Sequence, residues 1–215
     1  MMVYDNSVVR RDPVRRARPK VEAGGIAMVE SIRRLPGDKA YRVLESGPTI
    51  LVSTRNKAGR TDLMTVGFHM VVSHEGVLAA VISPGDFSQR SLAETGECVI
   101  GVPGVDLAEK VVDIGNCSGY DVDKFDHFGL TPGDGDRVAA PLVNECLANV
   151  ECTVLDDSLV SDYGGLVLLN AEQVWVNTRR QEHRTFHHNG DGTFNADGEF
   201  LDLRERMVLW KEYQT

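Results

Sequence analysis

Short β-branched apolar segments, each followed by turn-forming residues, place the strongest constraint on how this chain can fold. Runs of this length and composition are typical of strands. We predict strands in the following ranges: 49–54, 63–68 with 70–73, 77–83, 98–103, 150–156 and 166–177. These strands show little of the regular strand–helix alternation that a parallel sheet requires. The pattern therefore predicts a mainly β fold of about six strands, a largely antiparallel barrel with inserted helices.

Helical patterns interrupt the strands in three places. Residues 87–95, FSQRSLAET, suit a short helix, and the apolar residues of 105–114 fit one helical face. Gly115 follows as a candidate C-cap. A third short helix is predicted after Asp121 as N-cap, with Gly129 as its stop.

The first 37 residues differ from the rest of the chain. They show no sustained apolar period, and the stretch RRDPVRRARPK at 10–20 holds six of the 23 basic residues. We predict a flexible basic N-terminal extension over 1–37 and one folded domain over 38–215. Residues 21–215 carry 17 basic and 30 acidic side chains, a net charge of −13. Such an acidic body argues against nucleic-acid binding as the main function.

Several other classes are disfavoured by what the sequence lacks. It has no run of about 18 apolar residues and no apolar region after the N-terminal arginines, which predicts a cytoplasmic protein without membrane association. The four scattered cysteines suit buried, reduced thiols. Adjacent His187 and His188 would point to opposite faces of a strand beside a tight Asn-Gly-Asp-Gly turn, so no metal site is predicted. The dinucleotide-binding, P-loop, serine-hydrolase and zinc-protease signatures are absent.

Three features could bind a ligand. Ser88, Arg90 and Ser91 lie where a turn becomes a helix, a place that attracts phosphate, although Ser88 could simply cap the helix. Lys124 could neutralise its acidic neighbours or face an anion that the protein does not supply.

The third feature is the segment TDLMTVGFH at 61–69. Met64, Thr65 and Phe68 could lie beside a flat ligand, with Gly67 permitting close approach, or they could be ordinary strand and core residues.

The order of these segments resembles a known family. The runs LVSTRNKAGRTDLMTVGF, VISPGDFSQRSLAETGECVIGVPG, GNCSGYDVDKF and APLVNECLANVEC resemble the flavin reductase-like proteins of the FMN-binding split-barrel fold, flavoredoxin-type branch, over roughly residues 40–200. The resemblance implies a six-stranded antiparallel FMN-binding split barrel. It also implies a homodimer with one FMN per subunit near the interface.

Site residues are carried over from the family's motifs. The resemblance places Asp62, Met64, Thr65 and Phe68 along the isoalloxazine ring. It assigns Ser88, Arg90, Ser91 and Lys124 to the phosphate, and it places Tyr163 near a position that is often histidine beside the flavin.

Two residues depart from many members of the family. Asp62 replaces an asparagine and Phe68 replaces a tryptophan. An ionised aspartate can only accept hydrogen bonds, so Asp62 is expected to accept from a ring N–H or to weaken flavin binding. A carboxylate near the ring would also disfavour an anionic reduced flavin and lower its potential.

The resemblance implies hydride transfer from NADH or NADPH to FMN, and electron delivery to free flavin or a partner protein. No side chain is singled out as a general acid or base, so no catalytic residue is predicted. Two alternatives stay open: an FMN electron carrier of flavoredoxin type that does not oxidise nicotinamide nucleotides, and a split-barrel protein that binds a ligand other than flavin.

Overall fold

A computed structural model describes residues 47–203 and residue 206. The predicted N-terminal extension, residues 1–37, lies outside the described residues, as do residues 38–46 at the start of the predicted domain and most residues after 203. The division into an extension and a folded domain therefore stays a prediction.

The described chain is built mainly of strands. In chain order they are β1 (Ile50–Arg55), β2 (Thr61–Val66), β3 (His69–Val71), β4 (Val77–Val81), β5 (Glu97–Val102), β6 (Pro132–Gly133), β7 (Leu142–Val143), β8 (Ala148–Asp156), β9 (Leu166–Val176), β10 (Phe186–His188) and β11 (Phe194–Ala196). Seven of them form one sheet in the order β2-β1-β5-β8-β9-β4-β3. Every neighbouring pair in this sheet is antiparallel, which confirms the predicted antiparallel β architecture.

The main sheet has seven strands where the sequence predicts six. The difference arises at Gly67 and Phe68, which separate β2 from β3. β2 pairs with β1, whereas β3 pairs with β4 at the opposite end of the strand order. The Val81 N–H donates to the Phe68 carbonyl at 2.9 Å and extends the β4 pairing back to the break. One apolar run in the sequence thus supplies both edges of the sheet.

Three short helices lie between the strands. The first, α1 (Phe87–Thr95), matches its predicted range and ends at Gly96, whose φ of 71° suits glycine. The second, α2 (Ala108–Gly115), follows a 3₁₀ turn at Val105–Leu107. Gly115 is its last residue, and Asn116 occupies the predicted C-cap position.

The third helix, α3 (Lys124–His127), begins later than predicted. Its N-cap is Asp123, whose carboxylate accepts the Asp126 N–H at 3.2 Å. The predicted cap, Asp121, instead lies in the preceding turn, where its N–H donates to the Ser118 carbonyl. The cap contact fixes the position of Lys124 as the first residue of the helix.

The core lies on both sides of β1 because its alternate side chains are buried on each face. Ile50 and Val52 pack with Leu92 of α1 in one cluster. Leu51 packs with residues of α2 and α3 in a second cluster, which includes Ile114 and Phe125. The helices therefore flank the β1–β2 edge of the sheet, and β2 lies at the junction between them.

The C-terminal histidines lie in the small hairpin of β10 and β11. Asn189 and Thr193 close its tight turn, as predicted, with a 2.9 Å backbone hydrogen bond. The described residues contain no cluster of three histidine, cysteine or acidic side chains arranged to hold a metal ion. Within the same part of the chain, no helix is long and apolar enough to cross a membrane.

Candidate functional site

A cleft of about 310 Å³ lies beside β2, between the start of α1 and the loop that follows α2. Its walls come from β2, the start of α1, the residues after α2 and the first residue of α3. The lining residues are Asp62, Met64, Thr65, Asp86, Phe87, Ser88, Ile114, Gly115, Asn116, Cys117, Ser118, Gly119 and Lys124. Residues from four separate parts of the sequence therefore meet at one concave surface.

Asp62 is a buried acidic residue of the cleft wall. The residue is only 2% exposed, and Oδ2 accepts a 2.7 Å hydrogen bond from Ser88 Oγ. Lys124 Nζ lies 3.5 Å from Oδ1, close enough for an ion pair. Oδ1 itself accepts no hydrogen bond from any described residue. A buried carboxylate oxygen without a hydrogen bond is a costly arrangement, and a donor on a ligand would relieve it.

Lys124 is buried in the same wall. It is 5% exposed, and Nζ donates a 2.6 Å hydrogen bond to the Leu63 carbonyl of β2. It is the one cationic side chain among the lining residues in the described part of the chain. The sequence left open whether Lys124 neutralises its acidic neighbours or faces an anion that the protein does not supply. In the structure its acidic partner is Asp62 of β2, which is distant in the sequence.

The other predicted ring-side residues divide into two groups. Met64 and Thr65 line the cleft, and Thr65 Oγ1 donates to the Val111 carbonyl at 2.5 Å, which joins β2 to α2. Phe68 does not line the cleft and is 51% exposed at the break before β3. Tyr163 is 64% exposed and likewise lies outside the lining.

The predicted phosphate-side residues also divide. Ser88 lines the cleft, whereas Ser91 is buried and donates to the Phe87 carbonyl at 2.9 Å, one turn back in its own helix. Arg90 points away from the lining residues: its side chain is 71% exposed and lies 3.5 Å from Glu94. The structure thus brings together Asp62, Met64, Thr65, Ser88 and Lys124, and it leaves Phe68, Arg90, Ser91 and Tyr163 outside the lining. The role of each toward a cofactor stays a prediction.

Sequence reasoning overlooked the loop of residues 115–119 as part of the cleft wall. A Cβ on Gly115 would lie 3.3 Å from the Thr65 Cβ, and a Cβ on Gly119 would overlap the Asp62 carboxylate. These two glycines let the loop approach β2 closely. The signal was present in the sequence as two glycines around Asn-Cys-Ser, directly before the lysine motif.

Arg60 and Phe87 hold this loop in place. The Arg60 guanidinium donates to the Gly119 carbonyl and lies 5.0 Å from the centre of the Phe87 ring. Phe87 also makes an edge contact with Tyr120, with 5.2 Å between the ring centres. The loop is therefore attached both to the residue before β2 and to the first turn of α1.

Comparison with solved structures shows the same fold. An FMN-binding domain of a flavin reductase-like enzyme from Shewanella baltica matches with a TM-score of 0.67 at 23% identity, over 78% of this chain and 95% of its own. Flavoredoxin of Desulfovibrio vulgaris matches with a TM-score of 0.65 at 23% identity, over 72% of this chain and 88% of its own. These similarities confirm the predicted split barrel with inserted helices.

Sequence comparison assigns the family. The uncharacterized protein YddH of Escherichia coli is 31% identical over 172 residues, which cover 74% of this chain and 91% of YddH. The family model described as "Flavin reductase like domain" matches residues 43–194, a range that includes every residue of the cleft. The chain therefore belongs to the flavin reductase-like domain family.

Proposed function

We propose that this protein is an FMN-binding oxidoreductase of flavin reductase type, and that the cleft beside β2 holds the flavin. The observation that carries the proposal is the buried Asp62 Oδ1, which accepts no hydrogen bond from the described residues although it belongs to the cleft wall. The flavin ring contains an N–H donor that could satisfy it. The FMN-binding domain from Shewanella baltica, which has the same fold, supports the choice of ligand.

The ring side of the cleft fits a flat ligand. Gly115 and Gly119 bring backbone into the wall without side chains, and a Cβ on either one would meet Thr65 or Asp62. Met64 and Thr65 add side chains from β2. Such a surface suits the edge of a planar ring better than it suits a bulky substituent.

The phosphate side of the cleft offers fewer groups than the sequence predicted. Lys124, Ser88 and the first turn of α1 lie in the wall, and the Asp86 side chain does not cap that helix. Helix N-termini and ammonium groups favour phosphate oxygens. Arg90 would contribute only by leaving Glu94 and turning toward the cleft.

A flavin held by these residues would supply the redox chemistry of the site, with NADH or NADPH as the electron donor and free flavin or a partner protein as the acceptor. The side chains of this chain bind and orient the ring, and the buried wall around Asp62 excludes water from it. No lining residue is assigned as a general acid or base, so no catalytic residue is named. The proposal includes a cytoplasmic location, which the four free cysteine thiols support.

The proposal includes a homodimer. Met70, Val71 and Val72 expose between 49% and 69% of their surface on and beside β3, the edge strand of the main sheet. An apolar exposed edge is a typical site of self-association. A second copy of this chain would cover it and would also bring protein close to Phe68, which immediately precedes β3. Sedimentation should show a dimer that Val71→Lys converts to a monomer, whereas Val112→Lys on the exposed face of α2 should leave the dimer intact.

The test of function is an anaerobic titration. The purified protein, reconstituted with FMN, should show an oxidised-flavin absorption band that NADH or NADPH bleaches, with turnover on addition of free FMN. A flavin that binds but stays oxidised with both nucleotides would instead assign a flavoredoxin-type electron carrier. Protein that remains colourless after incubation with FMN would eliminate flavin binding and favour another ligand.

A further inference from the structure

We propose that Asp62 is a specificity-determining residue that offsets the charge of Lys124, so that the site accepts riboflavin nearly as well as FMN. The proposal rests on the proposed flavin site and assigns its preferred chemical class: flavins recognised by their ring, with little discrimination for the phosphate.

The contacts of Lys124 carry the first step. Its ammonium is 3.5 Å from Asp62 Oδ1 and donates at 2.6 Å to the Leu63 carbonyl. Both charged side chains are at least 95% buried, which leaves little water to screen the pair. Charges at this separation in a buried setting interact much more strongly than on the surface. A ligand phosphate would therefore compete with Asp62 for a cation that already has a partner.

The other side chains near the wall do not compensate. Ser88 Oγ donates to Asp62 and Ser91 Oγ donates to the Phe87 carbonyl, so both hydroxyl protons are already used within the protein. Arg90 pairs with Glu94 outside the cleft, and Arg60 donates to the Gly119 carbonyl beneath the loop. The lining itself contains two carboxylates, Asp62 and Asp86, against one ammonium. The cleft thus presents a net negative wall to an incoming phosphate, which opposes binding of an anion.

The ring-binding features act equally on FMN and riboflavin, because the two flavins have the same ring. The glycine loop and the β2 side chains of the wall interact with a neutral ring in the same way whatever the flavin carries at the end of its ribityl chain. Selectivity is a difference between two affinities, and here only the contribution of the phosphate group to the binding free energy is weakened. Riboflavin and FMN are the matched pair of ligands that isolates this term.

The experiment measures the dissociation constants of FMN and riboflavin by quenching of flavin fluorescence. We expect similar constants for the two flavins with the unmodified protein. Asp62→Asn keeps the size of the side chain and removes its charge, so it should raise the affinity for FMN relative to riboflavin on the order of tenfold. Asp126→Asn is the matched control: it removes the same charge from an exposed position on α3 outside the cleft lining, and the ratio should not change.

Asp62→Asn leaves the buried Lys124 ammonium without its carboxylate partner, which can destabilise the fold. Two further variants complete a thermodynamic cycle, so that the test does not depend on this single variant. Lys124→Met leaves Asp62 unpaired and should make FMN bind more weakly than riboflavin. The double variant Asp62→Asn, Lys124→Met has no charge at either position and should return the ratio to the unmodified value. Circular dichroism establishes that each variant is folded before titration.

The outcomes separate this inference from the proposed function. The role of Asp62 is overturned if both flavins bind but the ratio of their dissociation constants does not change when Asp62 is replaced by Asn. This comparison is made twice, in the unmodified protein and in Lys124→Met. Such a result would leave the flavin site intact. A strong preference of the unmodified protein for FMN also overturns the role of Asp62. If neither flavin binds the unmodified protein or any folded variant, the proposed function and this inference fail together.

Discussion

Ser88 Oγ donates a 2.7 Å hydrogen bond to Asp62 Oδ2, and both side chains are buried. This contact joins the first turn of α1 to β2 across the wall of the cleft. Ser88 is therefore the group through which the helix holds the carboxylate in position, and Lys124 approaches the same carboxylate from α3. The arrangement makes the stability of the fold and the shape of the cleft depend on the same few atoms.

Replacing Ser88 should cost more stability than replacing its neighbour in the same helix. Ser88→Ala removes a hydrogen bond to a buried carboxylate and should lower the free energy of unfolding by about 1.5–3 kcal/mol. Ser91→Ala removes only a hydroxyl bonded to the Phe87 carbonyl of its own helix, and should cost about 1 kcal/mol or less. Urea unfolding of the two variants compares them directly, and equal losses would contradict a special role for the Ser88–Asp62 contact.

Replacing Gly119 should disturb the cleft without introducing a charge. A Cβ at this position would overlap the Asp62 carboxylate, which Ser88 and Lys124 hold in place, so the loop would have to move away from β2. Gly119→Ala should lower the free energy of unfolding by about 1–3 kcal/mol and weaken flavin binding. Gly198→Ala is the control because a Cβ there meets no atom within 4 Å. Unchanged thermal unfolding and flavin affinity in Gly119→Ala would show that the loop adapts freely.

Glu151 should stabilise the fold in a pH-dependent way. Burial raises its pKa, but hydrogen bonds from Trp175 and from the backbone N–H groups of residues 136–138 outweigh burial and leave the pKa below its ordinary value. A carboxyl group whose pKa is lower in the folded state stabilises the protein above its unfolded pKa, and this stabilisation is lost as the pH falls through the folded value.

We therefore expect Glu151→Gln to lower the free energy of unfolding by about 1.5–3 kcal/mol at pH 7, because it weakens hydrogen bonds made to a buried charged group. The difference from the unmodified protein should begin to shrink as the pH falls below the ordinary glutamate pKa of about 4.3, and should be lost as the pH falls through the lower pKa of the folded state. Glu172→Gln, at an exposed position on β9, should change stability far less at either pH. Urea titrations at the two pH values provide the measurement, and a constant difference across them would show that the charge of Glu151 is not responsible.

Cys117 should be the only cysteine that reacts quickly with a thiol reagent in the folded protein. It is half-buried and lines the cleft, whereas Cys98, Cys146 and Cys152 are buried. A hydrogen bond with Cys152 together with burial raises the pKa of Cys98, and burial raises the pKa of Cys146 to about 12, which suppresses the reactive thiolates. A disulfide reagent should therefore give one fast equivalent per chain, absent in Cys117→Ser and slowed by bound FMN. Fast reaction of two or more thiols would contradict this assignment.

The range and the buried side of α1 could be predicted from local sequence, whereas the N-cap of α3 could not. The range of α1 follows from residues 87–95 alone, and its helical period places Ser88, Ser91 and Leu92 on the buried side with Arg90 on the opposite side. The same periodicity predicts that Arg90 faces away from the wall, whereas a guanidinium near a helix start favours phosphate, so local sequence gives two opposing signals for this residue. The N-cap of α3 was assigned to Asp121 instead of Asp123, since three aspartates in six residues offer similar local signals.

The partner of Lys124 could not be found from local sequence. Asp62 lies 62 residues earlier, and nearer carboxylates at 121, 123 and 126 offered simpler partners. All three of these aspartates are exposed and take part in turn or cap contacts. The lysine side chain instead reaches back to β2. Packing of Phe125 into the second core cluster determines this direction, because it turns the first residue of the helix toward the sheet.

The sequence by itself determined the classes of element, the antiparallel β architecture and the family, because alternation, turn residues and motif order are properties of neighbouring residues. Only the tertiary structure decided that β2 and β3 belong to opposite edges of the sheet, that the 115–119 loop forms a wall of the cleft, and that Lys124 pairs with Asp62. Each of these three features depends on contacts between segments that are distant in the sequence. Burial, close glycine contacts and charge pairing form only when those segments pack together.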